Sequence, residues 1–305
     1  MASKTYPGSS FLHDFYNSQT PSPTEIEGWK VAFSIVALAS LATAGMLYLF
    51  MEEPRGEARD GRVYHEPGRV SYQACFRQAL QRLCAICREE LSGLFEKLCI
   101  RSFAILLVQG LFGSVPWNAL SFLTMYLQYS GHSDETAPKI VSMISMGRIC
   151  GYLAGGRIAD HVKTLSPERG RPLTCVFSVL SGIPTTVLLI ELASDTTAGV
   201  LASLAFMLGF TACWCGAVNR AMIKELLGEP KASVFSWMIA LDGCAAAFFG
   251  APVVGFLAEG IFGFEAPPRG VVPSLEVQVA NKSALRQAML CATTGPWMLC
   301  AAFYV

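Results

Sequence analysis

The chain has 305 residues, of which 52% are apolar and only 15% are charged, and its mean hydropathy is +0.43. Soluble domains carry about 25% charged residues, so this composition favours a membrane protein over a soluble domain. The formal net charge is zero, which excludes an overall field that would attract nucleic acid.

Seven apolar runs are long enough to cross a bilayer, for which roughly 20 residues are needed. They lie near residues 30–51, 102–128, 138–160, 172–193, 198–220, 233–257 and 284–305. Because a spanning segment must satisfy its own backbone hydrogen bonds, we expect each run to be a helix. The sequence therefore predicts an all-α integral membrane protein with about seven transmembrane helices.

The chain also contains two polar stretches. Residues 1–29 form a polar tail that lacks the apolar core of a signal peptide. Residues 52–101 form a charged linker, and within it residues 71–98 place apolar side chains at the spacing of an amphipathic helix. That helix is either a plain connection or a surface for lipid or a partner. We predict four parts: this tail, a transmembrane helix at 30–51, the linker, and a six-helix unit at 102–305.

Lysine and arginine are concentrated in alternate connections. Sixteen lie in the linker and in the loops after the third and fifth runs, against about four in the opposite set. Short loops rich in these residues stay on the cytoplasmic side. This bias predicts an extracytoplasmic N-terminal tail, a cytoplasmic linker and a cytoplasmic C-terminus, and it does not identify the membrane.

The third run carries a glycine at every fourth position, namely Gly147, Gly151 and Gly155. Such a stripe forms a small face that lets another helix approach closely. The run ends in the sequence GRIAD (residues 156–160), and the following loop ends in ERGRP (residues 168–172). A long apolar run thus ends in an aspartate and a cluster of arginines.

The pattern Gly-x-x-x-Asp with a basic loop ending in Arg-Gly-Arg resembles the signature loop of the major facilitator superfamily. In that family the loop recurs after the second and eighth helices. Other stretches resemble helices of that family in the same order. The sixth helix and its exit resemble Gly28-Trp29-Lys30 and Met51–Gly56, and the end of the tenth resembles Asn219-Arg220-Ala221. The eleventh helix and its exit resemble Ala251–Gly255 and Phe262–Glu265. The Spinster-like branch and related protist and plant members are the most similar. The resemblance covers residues 28–305, and only the loop is specific.

The resemblance implies the sixth helix and the C-terminal six-helix half of a major facilitator fold. Since helices one to five have no counterpart, we expect a fragment of a twelve-helix transporter; the alternative is a half-transporter that pairs with another chain. The resemblance also implies that the loop holds the cytoplasmic face closed, with Asp160 at a helix N-terminus and the arginines paired with acids. Alternatively, the loop is solvated and only sets topology. The loop residues concerned are Gly156, Arg157, Asp160, Arg169 and Arg171.

Two charged residues stand out because they lie away from the ends of their predicted spans: Arg148 about midway along its span and Asp242 about a third of the way into 233–257. Charges in the hydrocarbon are costly and usually face a cavity or a partner. They are candidates for binding an ionic solute or carrying a coupling proton, and the alternative is a structural pair or snorkelling side chains. Gln109 and Asn118 flank Pro116, at which we expect a break in the backbone hydrogen-bond ladder, and both are candidates for lining a cavity.

We therefore predict secondary active transport of a small solute by alternating access, and no enzymatic activity. The alternatives are a seven-helix receptor and an inactive or regulatory half-transporter. The expected partners are the bilayer, a small-molecule substrate and, for a half-transporter, the missing N-terminal half or a second chain, with no nucleic acid. No cofactor or metal is expected, because Cys84-x-x-Cys87 lacks a second pair of ligands.

Overall fold

The computed structural model describes residues 28–50, 88, 92–93, 95–228, 232–266 and 274–305. The chain divides into two units. The first helix, α1 (Gly28–Phe50), belongs to one unit, and all the other helices given below belong to the second. Within its own unit α1 is an apolar helix whose side chains from Phe33 to Phe50 are exposed.

The second unit is a bundle in which several helices run on from one another through short breaks. Its helices are α2 (Arg101–Ala119), α3 (Leu123–Tyr129), α4 (Thr136–Leu165), α5 (Gly170–Glu191), α6 (Ala198–Ala212), α7 (Trp214–Leu227), α8 (Ala232–Phe249), α9 (Ala251–Phe256) and α10 (Leu275–Ala302). A 3-10 turn at Leu120–Phe122 joins α2 to α3, and a π-helical turn at Leu257–Ile261 extends α9.

Five helical stretches are long and apolar enough to cross a membrane. They are Phe33–Phe50, Arg101–Tyr129, Gly170–Ser194, Ala198–Leu227 and Val234–Ile261. The predicted all-helical architecture is thus confirmed for the described residues, and these helices indicate a multi-pass membrane protein. The other two predicted spans, α4 and α10, are long but more polar. At 1.5 Å per residue, 30 and 28 residues reach about 45 and 42 Å, against a hydrocarbon core of about 30 Å.

Some helices extend beyond the ends of their apolar runs, because charged residues continue the helix there. Helix α10 begins at Leu275, well before the predicted residue 284, because the Ser274 side chain caps it by accepting from the Val277 backbone N–H at 3.4 Å. In the same way α4 continues to Leu165 and α7 to Leu227. Length of helix and length of apolar run are therefore separate quantities in this chain.

Helix α4 makes its closest contact with α6. At this contact the backbones of the two helices approach each other with almost no side chains between them. Two glycines of the predicted stripe face this contact: a β-carbon at Gly147 would meet the Phe206 carbonyl group, and one at Gly151 would meet the backbone of Phe210. On the opposing helix Gly209 faces the backbone of α4 at Ile144. Small residues on both helices thus bring the two backbones together.

The end of the bundle that holds the C-terminus of α5 is fixed by polar contacts. Arg286 on α10 pairs with Glu191 at the end of α5, with its Nη2 atom 2.6 Å from Oε2. Asn281 is fully buried, and its amide both donates to and accepts from the backbone of Glu265 at 2.8 Å. The Tyr126 hydroxyl donates to the Ile190 carbonyl oxygen at 2.9 Å. These contacts tie α3, α5 and α10 together at this end.

Two helices are interrupted inside their predicted spans. Cys213 separates α6 from α7 with ψ near −4°, and Gly250 separates α8 from α9 with ψ near −95°. A β-carbon at Gly250 would collide with the Asn118 side chain, so the second break lies against α2. Helix α2 remains regular through Pro116 and changes to the 3-10 turn only after Ala119.

Candidate functional site

A central cavity of about 150 Å³ lies within the second unit, at the break between α6 and α7. Its walls come from α2, α4, the end of α6, the Cys213 break, α7 and α8, and they contain three of the four residues predicted to line a cavity. The lining residues are Gln109, Gly110, Gly113, Ser114, Trp117, Arg148, Tyr152, Ala212, Cys213, Cys215, Gly216, Asn219 and Asp242. The fold thus brings Gln109, Arg148 and Asp242 together from three separate helices.

Arg148 is half-buried and stacks on an aromatic ring. Its guanidinium carbon lies 4.8 Å from the centre of the Trp117 ring, which is cation–π distance. Among the described residues, no carboxylate forms an ion pair with Arg148. The cavity therefore contains a permanently charged guanidinium group, which contacts the Trp117 ring and no carboxylate of the described residues.

Asp242 lies on the α8 wall of the same cavity. Its Oδ1 atom is buried and has no hydrogen-bond partner in the described part of the chain. Ser114 donates to the backbone carbonyl of Asp242 at 2.9 Å and so fixes the main chain without satisfying the carboxyl group. Gly110 leaves the space that the carboxyl group occupies, since a β-carbon there would lie 2.6 Å from Oδ1. Arg148 and Asp242 share the cavity without pairing with each other.

A chain of amide and hydroxyl groups forms the remaining polar wall. Gln109 is 2% exposed; its Oε1 accepts from Asn219 Nδ2 at 3.0 Å, and its Nε2 donates to the Cys300 sulfur at 2.9 Å. Asn219 Oδ1 in turn accepts from the Tyr304 hydroxyl at 2.6 Å. The sequence predicts Gln109 at a cavity but contains no signal for a role of Asn219 or Tyr304, because their contacts join residues far apart in the chain.

Asn118, the fourth predicted cavity residue, lies outside the lining. Its side chain packs against Gly250 at the break between α8 and α9. Helical geometry explains the difference, because Trp117 and Asn118 are adjacent and consecutive helix residues point about 100° apart. Trp117 therefore faces Arg148, while Asn118 faces the helix break.

A second cluster, which we call the charge cluster, lies where the C-terminal ends of α4 and α7 meet the start of α5. Arg171 has 14% of its side chain exposed and bridges two acids: Nη2 lies 3.0 Å from Asp160 Oδ1, and Nη1 lies 2.7 Å from Glu225 Oε1. Lys163 also pairs with Glu225. Asp160 itself is 71% exposed. Glu225 was not predicted, since no local motif marks it.

The other predicted residues of the loop take different positions. Arg157 and Arg169 are exposed, and a β-carbon at Gly156 would meet no described residue within 4 Å. By contrast, Gly155 packs on Trp214. The structure thus joins Asp160 and Arg171 and places Gly156, Arg157 and Arg169 on the surface of the unit.

Next to the charge cluster lies an end cleft of about 490 Å³. Arg171, Glu225 and Tyr304 are among its lining residues. Because Tyr304 also donates to Asn219, a residue of the central cavity, its side chain stands between the two spaces. Cys84 and Cys87 lie outside the described residues; within the described part, no group of three or more His, Cys, Asp or Glu could hold a metal ion.

No family model, curated protein or solved structure matches this chain.

Proposed function

We propose that the chain is a secondary transporter of the major facilitator type, which moves a small solute across the membrane by alternating access. In this proposal the chain has seven spans, with α4 and α10 crossing beside the five more apolar stretches. It also adopts the predicted sidedness, with the C-terminus in the cytoplasm. The lysines and arginines of residues 157–171 then lie on the cytoplasmic side with the charge cluster.

One observation supports this function above the others: a cavity within the bundle holds Arg148 and Asp242, and neither is neutralised by the other. Burying charges at membrane depth is costly, and such residues usually mark a solute or ion pathway. The α6–α7 helix break at Cys213 opens on the same cavity, and interrupted helices often form transporter binding sites.

The charge cluster supports the second requirement of alternating access, a closure that can form and break. Arg171 and Lys163 join α4, α5 and α7 through Glu225 and Asp160 at one end of the bundle. Ion pairs near a surface are weak enough to exchange partners. We therefore assign this cluster as the latch of the cytoplasmic face, and the end cleft as the space that the latch borders.

The test is uptake by the purified chain in liposomes. Vesicles loaded with buffer are placed in a mixture of small labelled metabolites under an inward proton or sodium gradient, and the accumulated solutes are identified by mass spectrometry. We expect at least one solute to accumulate above the level in protein-free vesicles, and Asp242→Asn to abolish that accumulation. Identical contents in wild-type, Asp242→Asn and protein-free vesicles under both gradients would contradict transport by this chain.

A further inference from the structure

We infer that the central cavity binds a small zwitterion, a solute that carries one ammonium and one carboxylate group. The inference rests on the proposed function and names the substrate class of the same cavity. Three properties of the cavity carry it: the presence of both charges, the absence of an ion pair between them, and the volume.

The two charged groups need complementary ligands. Arg148 presents guanidinium N–H donors, which match the two oxygens of a carboxylate, and its position is fixed by the Trp117 ring at 4.8 Å. Asp242 presents a buried Oδ1 atom that receives no hydrogen bond from the described residues, which matches an ammonium N–H. A solute with only one charge would pair with either Arg148 or Asp242. The other residue would then remain desolvated and unpaired, which costs free energy.

The size of the cavity limits the solute. Its volume of about 150 Å³ lies well below the roughly 300–1,000 Å³ of pockets for drug-sized ligands. The remaining wall, formed by Gln109 and Asn219, has its amide groups engaged with each other and with Tyr304. That wall therefore offers few free polar atoms for additional substituents. A short amino acid with a small side chain, or none, fits these limits.

Binding is tested without transport, by the thermal stability of the purified chain in lipid nanodiscs. The probes are alanine, β-alanine and γ-aminobutyrate, which vary the separation of the two charges. Propionate is alanine without its ammonium, and ethylamine is alanine without its carboxylate. Since a bound solute raises the unfolding midpoint, the shift at equal concentration ranks the probes. We expect at least one zwitterion to raise the midpoint, and propionate, ethylamine or an equimolar mixture of both to raise it less.

Two variants locate the site. Arg148→Gln and Asp242→Asn should each weaken zwitterion binding by about tenfold or more, since each removes charge-assisted hydrogen bonds. The matched controls are Arg220→Gln and Glu259→Gln, which neutralise exposed residues of α7 and of the π-helical turn outside the cavity. The controls should keep the wild-type shift.

The outcomes separate the two proposals. Three results would overturn the zwitterion site: a midpoint shift with propionate equal to that with the zwitterions, no shift with any zwitterion, or a full shift in Arg148→Gln. The first two results come from the wild-type chain and do not depend on the folding of a variant. If a zwitterion binds as expected but vesicles loaded with it do not exchange it for the labelled compound, the site stands and transport fails. If another solute accumulates in the uptake assay and no zwitterion binds, transport stands and the zwitterion inference fails.

Discussion

Gly110 sets how the Asp242 carboxyl group sits in the cavity. A β-carbon at Gly110 would lie 2.6 Å from Oδ1 and 3.2 Å from the carboxyl carbon of Asp242. The atoms that it meets belong to the end of a side chain, which can turn aside more cheaply than backbone can move. Alanine at this position should therefore change the position of the Asp242 carboxyl group more than the stability of the chain.

We predict that Gly110→Ala reduces solute uptake by about tenfold, the loss expected from one misplaced charge-assisted contact, with little change in stability. Gly243→Ala is the matched control, because Gly243 is adjacent to Asp242 and an added β-carbon there would meet none of the residues that the structure describes within 4 Å. Uptake and unfolding midpoint are measured for both variants. Equal uptake by the two would show that the carboxyl position is unimportant.

The charge cluster contains two residues of very different burial, and their substitutions should differ accordingly. Arg171→Gln removes contacts to both Asp160 and Glu225 from a side chain that is 14% exposed, and we predict a loss of about 1.5–3 kcal/mol of unfolding free energy. Asp160→Asn removes one contact of a 71% exposed carboxylate and should cost below about 1 kcal/mol.

Both costs are measured by detergent titration of the purified chain in mixed micelles, with Arg169→Gln as an exposed control. A larger loss for Asp160→Asn than for Arg171→Gln would mean that the loop, and not the link to α7, provides the stability. Uptake by Asp160→Asn tests the latch separately, because unchanged uptake at unchanged expression would exclude a gating role for that residue.

At the scale of the helices, the contact between α4 and α6 depends on the absence of side chains. A β-carbon at Gly151 would lie 3.0 Å from both the Cα and the carbonyl carbon of Phe210, which are backbone atoms that cannot turn aside. We predict that Gly151→Ala destabilises the chain by about 1–3 kcal/mol or more, through forced separation of the helices. Gly156→Ala, on the same helix but in open space, should be neutral or slightly stabilising in the same titration.

Hydropathy predicted the helical stretches well, because burial in lipid requires apolar length. It could not predict where helices end, since Ser274 and the charged first turns of α10 prolong that helix beyond its apolar part. It also could not locate the breaks at Cys213 and Gly250, which depend on residues far along the chain. At the first break the Ser178 hydroxyl donates to the Thr211 carbonyl oxygen and accepts from the Cys215 backbone N–H, and at the second Gly250 lies against Asn118. The breaks of α6–α7 and α8–α9 are products of tertiary packing.

Candidate site residues were predictable where a rare residue type stands out. Arg148 and Asp242 are conspicuous as charges within apolar runs, and the structure places both on one cavity. Asn219, Glu225 and Tyr304 are ordinary residues in sequence, and their importance comes from partners far along the chain. Pairing of this kind is a property of the fold and has no local signal.

At the scale of the whole molecule, α4 and α10 decide the number of spans. We predict that α4 crosses the membrane, so that positions on its two sides label from opposite faces. Single cysteines at Ser133 and Ser166, in a background without other cysteines, are treated with an impermeant maleimide in intact and in inside-out vesicles. Ser166→Cys should react from the cytoplasmic side and Ser133→Cys from the other, as the charge bias requires.

A cysteine at Asp195, in the short exposed connection after α5, serves as the control for the same side as Ser133. If the cysteines at 133 and 166 react from the same side, α4 lies along or within one face of the membrane and the seven-span topology is wrong. The five more apolar stretches would then remain the spans.

The position of Tyr304 has a consequence for communication between the two spaces of the bundle. Its ring lines the end cleft, while its hydroxyl holds Asn219, whose amide in turn orients Gln109 in the central cavity. One hydrogen-bonded side chain therefore connects the lining of the end cleft with the lining of the central cavity. We expect a molecule that displaces this ring from the cleft to break the hydrogen bond to Asn219 and to loosen the amides that line the central cavity, so that occupancy of the cleft changes the shape of the cavity without movement of a whole helix.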